Sequence, residues 1–306
     1  MELLLHIWLY YGVFSVLLML FFILIFGLHE RFRGSSFYKI VQCDMCLNLA
    51  CYFNSWIFRL AQRPDTGFLL ETLYYNHHWI FRFIAFSNHF FFQTQSISII
   101  ILCFYRFSLI KFENSNKFWS KWYIFVYLAI ILYSVAINLP VAYIFHPLIY
   151  NETLKYFVDS KTPLDEQFVF SCHLVVCTLV YFLTIVTLGT LTLKNLRIRF
   201  SNLNSRQQKE DQRTQEMMKR MTIIVAINTV VYLMLIVWEF TVGLLFPNMS
   251  NDMQTNMMMC VSDMLSFSMP YTLLFCDKNV CEVIFGNFKF QLRSGVTSII
   301  APGSIT

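Results

Sequence analysis

Histidine and cysteine are the residues of this chain most suited to metal binding or nucleophilic catalysis. His173 and Cys177 are four residues apart, so one helix face would present both. They supply two ligands, whereas zinc binds three or four. His77, His78 and His89 lack an acidic helix motif that would complete a metal site. The sequence therefore predicts no enzyme, no metal or cofactor, and no nucleic-acid partner.

Three carboxylates lie inside apolar stretches, where ionisable residues usually face the protein interior and carry function. Asp44 shares a helix face with Asn48, and Asn228 lies at a similar depth in a later stretch. We interpret these three as an internal polar network, with direct ligand contact as the alternative. Glu239 and Asp263 lie near the other ends of their stretches and are better placed to meet a ligand. Hydrogen bonds between helices are the alternative for these two.

A stripe of polar side chains follows one apolar stretch at helical spacing. His89, Gln93 and Ser96 form it, and Asn88 and Gln95 lie beside it. These residues either hydrogen-bond to neighbouring helices or form the floor of a pocket with aromatic walls. The 33 Phe, 16 Tyr and 6 Trp residues supply rings for such walls.

Helices that cross a lipid bilayer must position these side chains, because 57% of the residues are hydrophobic and only 13% are charged. A span needs about 20 apolar residues. The predicted spans are residues 7–28, 38–58, 83–105, 122–145, 168–193, 221–245 and 256–276. The second is the least secure, since Asp44 lies within it and Lys39 and Arg59 are at its edges. The prediction is an all-α, polytopic seven-helix bundle, with one domain at residues 1–290 and a short tail at 291–306.

The basic residues are distributed unevenly between the two sides of this bundle. Eighteen of the 23 lysines and arginines fall on one side, which marks it as cytoplasmic. The amino terminus is then outside the cell and the carboxyl terminus inside. Two acceptor sequences for N-glycosylation, at Asn151 and Asn248, both fall on the predicted outer side.

The nine cysteines do not indicate a disulfide framework, because the predicted outer loops contain none of them. Cys172 and Cys260 lie near outer helix ends, and a bond between them stays open. Cys276 and Cys281 lie at the inner end of the last span, where palmitoylation and inert thiols are both open.

The predicted cytoplasmic side carries a concentrated positive charge. Arg106 closes span three, either as a simple anchor at the membrane edge or at an opening of the bundle. Residues 194–220 contain eight Lys or Arg, which suits a protein partner or anionic lipid. Arg197, Arg199, Lys219 and Arg220 belong to this segment.

Seven spans, an outer amino terminus, an arginine closing span three and a proline in the last span together resemble rhodopsin-like G-protein-coupled receptors. A narrower set of motifs resembles the nematode serpentine receptors of class gamma, in the same order, to about residue 290. The matching residues are Ser35-Ser36-Phe37-Tyr38, Asp44, Asn48-Leu49, Tyr52-Phe53-Asn54-Ser55-Trp56, Arg59, Trp119, Met269-Pro270-Tyr271, Phe275 and Asp277-Lys278-Asn279-Val280.

The chain departs from these patterns at three places. Tyr105 precedes Arg106 where the wider group has an acid or Asn, so a restraining partner for Arg106 is missing. Cys281 stands where the nematode class tends to have an arginine. The disulfide that ties span three to the second outer loop in the wider group is absent. The sequence therefore predicts an outer vestibule that no disulfide crosslinks.

The resemblance implies a multi-pass chemosensory receptor in the plasma membrane, in the cilia of sensory neurons. It would bind a small extracellular ligand and activate a heterotrimeric G protein. On this basis His89, Gln93, Glu239 and Asp263 border the ligand cavity. The residues expected to meet the G protein are Arg106, Arg197, Arg199, Lys219 and Arg220.

A ligand-gated channel or a transporter of small solutes is the alternative function. Insect odorant channels have their amino termini inside the cell, and repeat-built transporters show two similar halves, which this chain lacks. Pairing with a second receptor copy stays open.

Overall fold

The chain is mostly α-helical in the computed structural model. The model describes residues 2–63, 65–112, 114–144, 148–159, 164–201, 223, 226–227, 229–234, 237, 251–277 and 279–284. Within these residues, six helices are 26 residues or longer. The prediction of a helical protein with several apolar helices is confirmed.

The helices follow the predicted spans but extend beyond most of them. They are α1 (Glu2–Leu28), α2 (Glu30–Arg33), α3 (Ser36–Ala61), α4 (Glu71–Asn76), α5 (His78–Lys111), α6 (Ser115–Ile144), α7 (Leu164–Ser201) and α8 (Asn251–Cys276), with a 3₁₀ turn at Gly67–Leu70. Residues 229–234, inside the sixth predicted span, are also helical. The extensions arise because a helix continues its hydrogen bonds past the apolar stretch that a span prediction detects.

Four of the described helices are long and apolar enough to cross a membrane. Their candidate spans are Trp8–Leu28, His78–Lys111, Ser115–Leu139 and Cys172–Leu196, and Cys260–Cys276 is a shorter apolar helix. The helix α3 is not among them, because it carries Asp44, Asn48 and Arg59 among its buried residues.

The core explains the polarity of α3, which is the most enclosed helix of the described bundle. It packs against α1, α5, α6 and α8. Large buried rings fill the contacts, including Phe22, Phe37, Trp119 and Phe267. By contrast, α1, α6 and α7 expose rows of large apolar side chains on their outer faces, as lipid-facing helices do.

One element was missed by the all-α prediction: a two-stranded antiparallel hairpin between α6 and α7. Strand β1 (Leu148–Asn151) pairs with β2 (Tyr156–Asp159). Asn151 closes the turn, since its Oδ1 accepts the backbone N–H groups of Thr153 and Leu154 at 3.0 and 3.1 Å. Asn151 is therefore a turn-forming residue as well as the first residue of an acceptor sequence for N-glycosylation.

Candidate functional site

Asp44 lies at the centre of a buried hydrogen-bond network between α3, α5 and α8. Its Oδ2 accepts from Asn48 Nδ2 at 3.0 Å, and its Oδ1 accepts from Ser98 Oγ. Gln95 Nε2 donates to Asn48 Oδ1 and to Ser266 Oγ, both at 2.8 Å. Because buried polar groups are costly unless paired, these bonds fix the three helices relative to one another.

The network also reaches α6. Tyr127 Oη lies 3.1 Å from Ser98 Oγ and donates to the backbone oxygen of Ile40 at 3.2 Å. Asn228, which we assigned to the same network, lies outside the described residues. Sequence reasoning missed Ser98, Tyr127 and Ser266, because small hydroxyls and tyrosines are common in spans and give no distinctive signal.

A second buried pair joins α3 and α8 nearer the hairpin. Arg59 Nη2 donates to Asp263 Oδ2 at 2.7 Å, and each side chain is only 4% exposed. Ser55 Oγ lies 3.4 Å from the other carboxylate oxygen. The Trp56 ring lies 5.1 Å from the guanidinium carbon of Arg59. Asp263 is thus already paired with a cation, and the Trp56 ring lies over that cation.

The place of Arg59 corrects the sequence analysis, which puts it at the edge of the second span and among the five basic residues of the outer side. The residue is inside α3 and buried, because Asp263 compensates its charge. The helix spacing held a signal: Asn48, Ser55 and Arg59 fall close to one face. Removing Arg59 from the outer side makes the charge difference between the two sides larger.

The other predicted ligand residues lie on a different face of the bundle. Gln93 of α5 is 1% exposed and lies near Cys177 of α7. Its Oε1 has no hydrogen-bond partner among the residues that the structure describes. His89 is partly buried one turn away and interacts electrostatically with His173. Glu239 is outside the described residues.

Between these two sites, Asn54 links α3 to α5. Its Nδ2 donates to Asn88 Oδ1 at 2.5 Å, and its Oδ1 accepts from Ser87 Oγ at 2.6 Å. We had noted Asn88 beside the polar stripe but assigned no role to Asn54. The result is a run of buried polar contacts along the length of α3.

The histidines and cysteines do not gather into a metal site in the described part of the chain, where no group of three or more His, Cys, Asp or Glu could hold an ion. His173 Nε2 lies 3.8 Å from Cys177 Sγ, and two such groups are too few to hold a zinc ion. All nine cysteines are free thiols, with Cys172 exposed and Cys260 buried.

At the opposite end of the bundle, Arg106 is buried instead of lying at an exposed edge. It is 5% exposed, and its guanidinium carbon lies 5.8 Å from the centre of the Phe37 ring. Tyr105 turns towards α3, where its hydroxyl lies 2.9 Å from Ser36 Oγ. Arg197 and Arg199 belong to the carboxyl-terminal part of α7. Lys219 and Arg220 lie outside the described residues.

Ring contacts, and not a disulfide, hold the β1–β2 hairpin against the helices. Phe157 of β2 stacks on Phe81 of α5 with ring centres 4.5 Å apart. Tyr74 packs edge-on against both rings at 5.3 Å. Tyr150 donates to Glu71 at 3.0 Å, and burial together with this bond raises the pKa of the Tyr150 phenol. Aromatic contacts therefore hold the hairpin on α4 and α5 without a disulfide.

Two further contacts fix the hairpin. Tyr75 donates to Glu152 at 3.0 Å, and this bond raises the pKa of the Tyr75 phenol. Gly67 lies against β2 so closely that an added Cβ would be 2.8 Å from the Cα of Tyr156 and 2.9 Å from the backbone oxygen of Ala61. Only glycine permits this approach without a shift of the backbone.

Comparison with known proteins identifies the family of this bundle. The family model described as "Srg family chemoreceptor" matches residues 5–284. The chain belongs to the Srg chemoreceptor family. It is similar to serpentine receptor class gamma-53 of Caenorhabditis elegans, with 34% identity over 286 residues that cover 92% of this chain and 90% of the relative. Serpentine receptor class gamma-47 of the same organism is 21% identical over 281 residues, which cover 89% and 86% of the two chains.

The predicted resemblance to class gamma is therefore confirmed for this Srg protein. The family is one of membrane receptors, which agrees with the apolar helices described above. Two of the class-gamma motif residues form contacts between helices of this Srg bundle: Asp44 accepts a hydrogen bond from Ser98, and Arg59 pairs with Asp263.

Proposed function

We propose that this Srg protein is a chemosensory G-protein-coupled receptor that binds a small extracellular molecule within its helix bundle and activates a heterotrimeric G protein. The observation that carries the proposal is the family match over nearly the whole chain. The buried polar contacts along α3 support it, because they run between the two ends of the bundle that such a receptor must couple.

We further propose seven membrane spans, with the amino terminus outside the cell. Residues 1–290 form the receptor domain and residues 291–306 a cytoplasmic tail. The six long helices and the helical residues 229–234 support the count, and the basic residues support the orientation. By family, the receptor belongs in the plasma membrane of sensory cilia.

The proposed ligand cavity is bordered by His89, Gln93, Glu239 and Asp263. Gln93 supports this assignment, because its Oε1 is a buried acceptor that no described residue uses. Asp263 supports it differently: a ligand that binds one arrangement of the Arg59–Asp263 pair better than another shifts the population of receptor states. Differential affinity of a few kcal/mol is sufficient for such a shift.

The proposed G-protein surface consists of Arg106, Arg197, Arg199, Lys219 and Arg220. We propose that Asp44, Asn48 and Asn228 form a network that couples this surface to the ligand cavity. Asp44 and Asn48 support a coupling role because both bond to α5: Asp44 accepts from Ser98, and Asn48 accepts from Gln95. A change in the angle between α3, α5 and α8 would have to rearrange these bonds.

The test is a chemical screen on cells that express the chain with a promiscuous G protein, with second-messenger release as the readout. We expect at least one small molecule to evoke release. Arg106→Ala should abolish that response at equal surface expression, whereas Lys111→Ala, an exposed cation at the end of the same helix, should retain it. A full response from Arg106→Ala would contradict the coupling assignment. A ligand-evoked current in cells without G-protein activity would favour the channel alternative.

A further inference from the structure

A cavity of about 290 Å³ lies in the half of the bundle opposite the β1–β2 hairpin. It is enclosed by α5, α7 and the helical residues of the sixth predicted span. Its walls are mostly apolar, formed by side chains such as Ile185, Val186, Leu193 and Val230, and Gly189 leaves space in the wall of α7. The proposed G-protein surface includes Arg106 at the edge of this space, but no role has been assigned to the apolar space itself.

Arg106 is the only charged residue among the described residues that line this cavity. Its side chain is 5% exposed, and its Nε, Nη1 and Nη2 atoms have no hydrogen-bond partner in the part of the chain that the structure describes. The Phe37 ring lies near the guanidinium but offers no acceptor oxygen. A cation buried without a partner is strongly unfavourable, so the site favours an anion.

The guanidinium geometry restricts the kind of anion. Its planar fork of N–H donors matches the two oxygens of a carboxylate or phosphate. The surrounding walls are mostly apolar, however, and the hydroxyls of Thr190 and Thr192 already donate to backbone oxygens of α7. An occupant that fits both features has an oxyanion head and an apolar tail.

The way into the cavity indicates where such a molecule comes from. Val186, Leu193 and Val230 line the cavity and are 39%, 48% and 54% exposed. The space is therefore not sealed, and in a membrane-spanning bundle such apolar side chains are in reach of lipid. A membrane amphiphile can reach them without passing through water.

We propose that the cavity binds an acyl-chain amphiphile with an oxyanion head, the head pairing with Arg106 and the chain lying against α7. The inference does not depend on signalling, because it concerns binding to the receptor alone. A free fatty acid and an anionic phospholipid share this chemistry. The experiment distinguishes the two sources.

The experiment uses the full chain in nanodiscs of phosphatidylcholine and a fatty acid that carries a photoactivatable diazirine. After illumination, mass spectrometry of the digested protein locates the labelled peptides. We expect labelling in α5 and α7 near Arg106 and Gly189. Arg106→Gln should reduce it about tenfold, as expected for loss of a charge-assisted pair.

Two further variants separate loss of the site from loss of the fold. An added Cβ at Gly189 would meet no other atom within 4 Å, so Gly189→Leu fills the cavity while Arg106 stays in place. It should reduce labelling to a similar extent. Lys111→Gln removes an exposed cation from the same end of α5 and should leave labelling unchanged. Each variant is compared with the original chain at equal monodispersity in size-exclusion chromatography.

Competition identifies the head group and its source. Unlabelled dodecanoate should displace the probe, whereas dodecanol, which has the same chain without a charge, should not. Displacement by phosphatidic acid in the disc, but not by dodecanoate, would assign the site to a phospholipid. Equal labelling of the original chain and both site variants would overturn the proposal. Equal competition by dodecanol would overturn the role of Arg106.

Discussion

At the scale of single residues, the buried ion pair between Arg59 and Asp263 is the least expected feature. Charges that are removed from water cost several kcal/mol each unless they are well paired. Here the pairing is close, at 2.7 Å, and both side chains are almost fully enclosed. The pair joins α3 to α8 and therefore bears on the arrangement of the helices as well as on the proposed ligand cavity.

Breaking this pair at one side should destabilise the protein more than removing both charges. Asp263→Leu or Arg59→Met should each cost about 3–5 kcal/mol, because a buried charge is left unpaired. The double variant Arg59→Met/Asp263→Leu should recover much of this loss. Thermal unfolding of the detergent-solubilised chain measures the effect.

Ser55→Ala is the matched control for that cycle. Its hydroxyl lies 3.4 Å from Asp263, but its shorter bond is to the backbone oxygen of Tyr52 at 2.9 Å. The loss should therefore be about 1 kcal/mol. Additive effects of the two charge removals would show that the pair contributes no coupling energy.

The polar pair Asp44 and Asn48 could be predicted from the sequence, whereas the burial of Arg59 could not. Asp44 and Asn48 were recognisable because both are polar and four residues apart in an apolar stretch, and they bond to each other. Arg59 was not, because a charge at the end of an apolar stretch is equally compatible with a helix end in water. Its burial depends on Asp263, more than 200 residues later in the chain, and that proximity is set by the packing of α3 against α8.

At the scale of elements, the β1–β2 hairpin shows how a loop can be held by ring contacts. Phe157 is 1% exposed and packs on Phe81 and Tyr74. The sequence does not reveal this arrangement, because aromatic residues are abundant throughout the chain and do not indicate which rings meet. The hairpin itself is short, and strands of four residues give a weak alternation pattern.

Phe157→Ala should release the hairpin while leaving the helices folded. Loss of a buried phenyl ring typically costs about 3–5 kcal/mol, and the two short strands have little other support. Hydrogen exchange of residues 148–159 should accelerate strongly, with no comparable change in α3 or α5. Ile149→Ala, an exposed position on β1, should leave exchange of the hairpin nearly unchanged. Slow exchange in Phe157→Ala would show that the ring contacts do not hold the hairpin.

At the scale of the whole molecule, polar and apolar faces are distributed as a membrane bundle requires. The buried polar contacts concentrate on α3, α5 and α8, whereas α1, α6 and α7 present large apolar side chains outwards. Composition and span length were enough to predict a helical membrane protein. The helix neighbours were beyond sequence reasoning, since contacts between distant spans leave no mark in a single chain.

The proposed orientation predicts where glycans attach. Asn151 lies at the hairpin turn beside the exposed Glu152 and Thr153. If the hairpin is extracellular, Asn151→Gln should remove one endoglycosidase-sensitive glycan and increase gel mobility. Asn248→Gln should remove the other glycan.

Thr153→Ser is the matched control, because it preserves the acceptor sequence and should keep the glycan. A chain with no glycan at either asparagine would remove the support of the sequons for the orientation. An antibody tag at the carboxyl terminus, detectable on intact cells, would contradict the orientation itself.

The attachment of the hairpin by rings has a consequence for how the receptor tolerates its chemical surroundings. A disulfide-closed cap opens when a reductant such as dithiothreitol cleaves it, and it requires an oxidising compartment to form. Phe81, Phe157 and Tyr74 carry no sulfur, so neither condition applies to their contacts. The β1–β2 hairpin can therefore pack, loosen and pack again through thermal motion alone, independently of the redox state of its surroundings.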